Sequence, residues 1–123
     1  MPTEKAINFA PRVSMIHKDG SLSWDWRRWL DRLVPLIPKI ETYSVTLDPA
    51  SIAANTTAEQ TFTVSGLKTN DIITINKPSN TTGVGIVNAR VSATDTLAIT
   101  FINATAGAVN PASETYKIIS TRL

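Results

Sequence analysis

Residues 96–103, Thr96-Leu97-Ala98-Ile99-Thr100-Phe101-Ile102-Asn103, decide the fold. Leu97, Ile99 and Phe101 alternate with smaller or more polar residues, the two-residue period of a strand with one face on a core. The same period recurs outward from this segment. Tyr43, Val45 and Leu47 alternate before Asp48-Pro49, Phe62 and Val64 before Gly66, and Ile73 and Ile75 before Lys77-Pro78; Tyr116 and Ile118 follow near the end. A further strand is expected through Ile86 to Val91. Six or seven short strands about ten residues apart, with turn residues between them and threonine at about a fifth of positions, predict an antiparallel β-sandwich. An immunoglobulin-like topology is the expectation, occupying residues 42–123.

Upstream the pattern changes. All three tryptophans, Trp24, Trp26 and Trp29, lie within six residues. Trp26, Trp29, Leu30, Leu33 and Ile37 follow helical spacing, while Arg27, Arg28, Asp31 and Arg32 fill the remaining arc. Ser21 or Ser23 can cap this amphipathic helix, with Asp25 near its positive end and Arg32 near its negative end. Pro35 disfavours the α region at Val34, so the helix is expected to end there after about three turns. The first twenty residues carry Pro2, Pro11 and an Asp19-Gly20 turn signal, with Ile7, Phe9, Val13 and Met15 at odd positions. They read as an extended arm. The expected division is therefore a 1–41 arm and Trp-rich docking helix and a 42–123 β-sandwich.

Composition excludes several function classes. The 123 residues are 42% hydrophobic and 18% charged, with a formal charge of +2, which suits a single folded domain with a short extension. Residues 1–41 hold seven Lys/Arg against five Asp/Glu, and residues 42–123 hold five of each, so the slight basicity belongs to the N-terminal part. Three arginines interrupted by Asp25 and Asp31 fall short of a basic nucleic-acid stripe, and the apolar face is short for a helix lying in a membrane interface. Without cysteine, thiolate catalysis and zinc-thiolate sites are excluded. The start of the chain lacks a signal-peptide pattern, and no stretch approaches a membrane span. Synthesis and assembly in the cytosol follow as the expectation. The sequons at Asn55, Asn80 and Asn103 then read as by-products of an Asn/Thr-rich surface.

No catalytic, metal or cofactor set is expected. His17 is the single histidine, with Asp19 as its nearest acidic neighbour in a turn. Asp48, Asp71 and Asp95 stand beside turn residues and read as turn formers. Gly83-Val84-Gly85 lacks the third glycine and the strand-to-helix context of a nucleotide fingerprint. Trp24, Trp26, Arg27, Arg28, Trp29, Leu30, Leu33 and Ile37 remain as candidate protein-docking residues, because Trp and Arg dominate binding hot spots and a short helix rich in them is marginal in water by itself.

Two stretches resemble structural proteins of tailed-bacteriophage virions. In the β-part these are Leu47-Asp48-Pro49, the TFTVSGL segment, Asn76-Lys77-Pro78, Ala89-Arg90-Val91-Ser92, Ile99-Thr100-Phe101 and Glu114-Thr115-Tyr116. In the N-terminal part the Asp19-Gly20 turn precedes Trp26-Arg27-Arg28-Trp29-Leu30-Asp31-Arg32-Leu33. The resemblance implies a non-enzymatic virion component of the tail-fibre or fibre-anchor type, a homotrimer whose arm and helix dock to a tail adaptor, portal-proximal or capsid protein. A capsid decoration protein is the alternative it leaves, and brevity after the β-part weakens a receptor-binding role. A membrane-interface module is the residual reading of the helix itself.

Overall fold

The computed structural model describes residues 14–123; Ile7, Phe9 and Val13 of the expected arm lie outside them. The chain divides between Pro38 and Lys39 into two units. The first contains helix α1 (Trp24–Leu33) and a 3-10 turn, Val34–Leu36. The second is mainly β, with strands β1 (Lys39–Leu47), β2 (Thr56–Thr63), β3 (Ile72–Asn76), β4 (Val84–Ala93), β5 (Thr96–Asn103) and β6 (Glu114–Arg122). The expected 41/42 boundary is three residues late, because Lys39, Ile40 and Glu41 already pair with Arg122, Thr121 and Ser120.

Two antiparallel three-stranded sheets, β1-β6-β3 and β2-β5-β4, make a β-sandwich in which the first and last strands pair. Only β4 and β5 are consecutive neighbours in one sheet, joined by a tight turn in which Asp95 takes φ 59. Every other connection crosses between sheets. Leu97, Ile99 and Phe101 are fully buried on central strand β5, and Tyr116 and Ile118 oppose them from central strand β6. Phe101 stands between Ala58 and Ile86 in the register, both packed against the core. Each such buried side chain contributes roughly 1.5 to 3 kcal/mol through the apolar area it removes from water.

The β4 period is broken by bulges between Ile86 and Asn88 and between Val91 and Ala93, which turn Val87 outward. On the outer face of this sheet Arg90 makes a two-pronged contact with Glu59, at 2.9 Å to each oxygen, near Ala98, which is fully buried. The pair holds the Glu59 carboxyl below its usual range.

The loops 48–55, 77–83 and 104–113 meet at one end of the sandwich, and hydrogen bonds lock them together. Ile52 and Val109 exchange backbone bonds, Asn55 N–H donates to Thr105, and Ala104 N–H to Gly83. The buried Asn103 amide donates to the carbonyls of Ile52 and Gly107, while its oxygen accepts from Thr105 N–H and hydroxyl. Lys77 and Glu114 pair at 2.6 Å in a largely covered site, where Ser79 also donates to Glu114. Lys77 and Ser79 together hold that carboxyl below its usual range. Tyr116 carries its hydroxyl among these residues without a hydrogen-bond partner, and burial, then Glu114, pushes its pKa up to about 12.

Gly83 shows how closely these loops approach. Its φ is 79, and a Cβ there would strike the Thr105 methyl, so only glycine fits both the conformation and the space. Gly83→Ala should lower stability by about 1 to 3 kcal/mol, through left-handed strain and overpacking together. Urea unfolding checks it, and an unchanged midpoint would mean that the loop end is soft.

Candidate docking helix

A short hairpin leads into the helix. Ile16 and Leu22 bridge, His17 N–H donates to Ser21, and Gly20, at φ 89, donates to His17. The Asp19 carboxylate accepts from Ser21 N–H at 3.0 Å and from its hydroxyl at 2.7 Å, which holds Asp19 below its usual range. The turn read from Asp19-Gly20 is therefore present. Ser23, tied through its own N–H to Met15 and nearly buried, caps α1 by accepting from Trp26 N–H at 3.5 Å. Asp25 and Arg32 occupy the first and last turns, in the favourable sense for the helix dipole.

Trp26, Trp29, Leu30 and Leu33 share one face and are half-buried; Arg27, Arg28, Asp31 and Arg32 are exposed. The Trp26 and Trp29 rings meet edge to face, with centroids 5.5 Å apart and planes at 80°. Trp24 departs from the expected stripe. It opens the helix, stays 64% exposed, and receives the Arg28 guanidinium 5.9 Å from its ring centre, a cation–π contact. Ile37 departs too. Its spacing is helical, yet its backbone is extended (φ −89, ψ 124), beyond the helical path.

The α-helix ends where expected, at Leu33 with Val34 as its C-cap, and the chain then tightens into the 3-10 turn. Val34 keeps α geometry (φ −53, ψ −45) despite Pro35, and its N–H still reaches the Leu30 carbonyl. Pro35 falls at the start of the 3-10 turn, where its missing N–H costs little, so the path tightens rather than stops. The final exit coincides with Ile37, which Pro38 holds extended.

What distinguishes the segment is how little of it is covered. No α1 residue is buried, and Met15, Ile16, Trp24, Val34, Leu36 and Ile37 are all exposed large hydrophobics. The Trp29 indole N–H is covered but has no acceptor. Such an orphan donor weakens the unit in isolation.

The other sequence candidates resolve differently. His17 lies in the hairpin turn, exposed, and among the described residues no three His, Cys, Asp or Glu side chains gather as a metal site. Gly83-Val84-Gly85 leads into strand β4 rather than a helix. Asp95 is a turn former whose carboxylate accepts from Gly66 N–H at 2.8 Å. Asp71 is more than that. Its side chain is fully covered and binds Arg122 Nε at 2.6 Å and Nη2 at 2.7 Å, the Ser120 hydroxyl at 2.8 Å and Lys68 N–H at 3.0 Å. No helix among the described residues is long and apolar enough to cross a membrane. A shallow groove of about 510 Å³ at Asn55–Thr57 and Ile102–Ala104 offers neutral Asn and Thr groups and no titratable side chain. No protein-family model matches the chain, and neither a curated protein nor a solved structure matches it.

Proposed function

We propose that this chain is a non-enzymatic structural component of a tailed-bacteriophage virion, in which the segment 14–37 docks to a larger assembly and the β-sandwich projects. The observation that carries the docking half is the uncovered apolar surface of α1 and its 3-10 turn, with Trp24, Val34, Leu36 and Ile37 each more than half exposed. Arg27 and Arg28 border that surface, the combination of aromatic anchors and guanidinium rim that binding hot spots favour. Within the β-unit, β1 starts directly after Pro38 and runs nine residues, about 30 Å, to the locked three-loop end.

The virion assignment rests on the resemblance of the quoted segments to phage structural proteins. It favours a homotrimeric short tail fibre or fibre anchor held by a tail-adaptor or portal-proximal protein, with a capsid decoration protein as the alternative. Cosedimentation of the purified chain with isolated tail-adaptor complexes and, separately, with capsid shells should show saturable binding to one of them. The chain should also appear at fixed stoichiometry in particles produced from the genome that encodes it. Absence from the particles together with binding to neither assembly would sink the reading.

A further inference from the structure

The arginines of the two units are held differently. In the β-unit each guanidinium has a carboxylate: Arg90 meets Glu59 at 2.9 Å and Arg122 meets Asp71 at 2.6 Å. On α1, Arg27, Arg28 and Arg32 are exposed, and among the described residues none of them enters an ion pair. Arg28 rests on the Trp24 ring instead. The carboxylates of the helix itself do not fill the gap. Asp31 follows Arg27 by four positions and Arg28 by three, the weaker order for an ion pair along a helix, and Arg28 and Arg32 stand as like charges at the same four-residue spacing. At about 100° per residue around the axis, Arg27 lies beside Leu30 on one side of the stripe formed by Trp26, Trp29, Leu30 and Leu33, and Arg32 lies beside Trp29 on the other. Two uncommitted guanidinium groups thus flank the apolar face from both sides.

We propose that the surface receiving α1 is an acidic groove on a protein, with an apolar floor for Trp26, Trp29, Leu30 and Leu33 and a carboxylate on each wall for Arg27 and Arg32. The proposal rests on the docking reading above and adds the partner's chemistry to it. Charge complementarity selects this occupant. A guanidinium presents a planar fork of N–H donors that one carboxylate fills with both its oxygens, as Glu59 does for Arg90. Each of the two flanking arginines stands about 110° around the axis from the centre of the stripe, so walls that rise past the helix meet both at once. A lipid interface fits less well. Ten residues give only about 15 Å of helix, and the exposed Asp25 and Asp31 would face the same anionic headgroups as the arginines. Those two aspartates count equally against the phosphates of a nucleic acid.

Cosedimentation of the full chain with purified tail-adaptor complexes and with capsid shells, at about 0.05 M and about 0.5 M NaCl, tests it. Whichever assembly binds the chain should bind it roughly ten-fold or more weakly at the higher salt. Arg27→Gln with Arg32→Gln should weaken binding at low salt by roughly ten-fold or more and leave little salt dependence. Arg27→Lys with Arg32→Lys, which keeps both charges, should retain more affinity than the glutamine pair. Glutamine is a good helix former, so α1 should persist, and an unchanged far-UV spectrum checks it. The wild-type salt series needs no variant and decides by itself if a variant misfolds. Binding indifferent to salt, or salt dependence that survives the glutamine pair, overturns the acidic groove. If that binding is still lost when Trp26 and Trp29 become alanine, docking stands without it. Binding to neither assembly removes both readings. Vesicles of about one-quarter phosphatidylserine in phosphatidylcholine and a DNA duplex are the remaining arms. Saturable binding to either, tighter than to adaptor or shell, overturns the proposal in favour of a lipid or nucleic-acid partner.

Discussion

Asp71→Ala should lower the stability of the chain by about 3 to 5 kcal/mol, because it removes one half of a covered ion pair and leaves the other half without compensation. The Asp71 side chain is fully buried, and Arg122 is only one-quarter exposed. The substitution would also strand the Ser120 hydroxyl and Lys68 N–H, both of which now donate to Asp71. Against a total of about 5 to 15 kcal/mol for a domain, such a loss approaches unfolding. Asp71→Asn, which keeps the volume, should cost less and is the better variant for pH work. The Arg122 guanidinium, helped by the Lys68 and Ser120 donors and opposed by burial, holds the Asp71 carboxyl well below its usual range. A depressed carboxylate stabilises the fold above its unfolded pKa of about 3.9, and that contribution disappears as pH falls through the lower native value. The stability gap between wild type and Asp71→Asn should accordingly be constant above about pH 5 and shrink below about pH 4. Urea midpoints measured from pH 7 to pH 2 check it. A gap that stays the same over the whole range would show that Asp71 acts through packing alone.

Where the physics is local, the fold was legible in the sequence. Strand β5 announced itself because Leu97, Ile99 and Phe101 fill one side of a central strand, and all three are fully buried. Strand β4 was harder to bound, since its two bulges break the period that identifies a strand. The Asp71–Arg122 pair left no local signal: its members are 51 positions apart, and Asp71 beside Asn70 looks like any turn former. In strand β3 the alternation of Ile73 and Ile75 marked the side that packs on the core, which leaves Ile72 on the outer face, where it is exposed. Within the docking segment, helical spacing placed Trp26, Trp29, Leu30 and Leu33 correctly on one face. It failed for Ile37, because tightening into a 3-10 turn ends the 3.6-residue period before that position.

Replacing Trp26 and Trp29 together by alanine should reduce binding to the docking partner by several powers of ten. Hot-spot tryptophans cost about 2 to 4 kcal/mol each when truncated, and each 1.4 kcal/mol is a tenfold change in affinity. The two rings are one unit, meeting edge to face at 5.5 Å, so their losses should not add independently. Either single substitution also frees the other ring to reorient, and should therefore remove more than half of what the pair removes. Trp24→Ala should cost less, since its ring is engaged by Arg28 and stands at the start of the helix. The β-sandwich should keep its thermal transition within a few degrees in all of these variants, because its core contains none of the three tryptophans. Titration against the purified partner, beside thermal melts, separates the two effects. Normal binding by the double variant, with an early melt of the sandwich, would assign Trp26 and Trp29 to structural support of the β-unit and remove the basis for a docking helix.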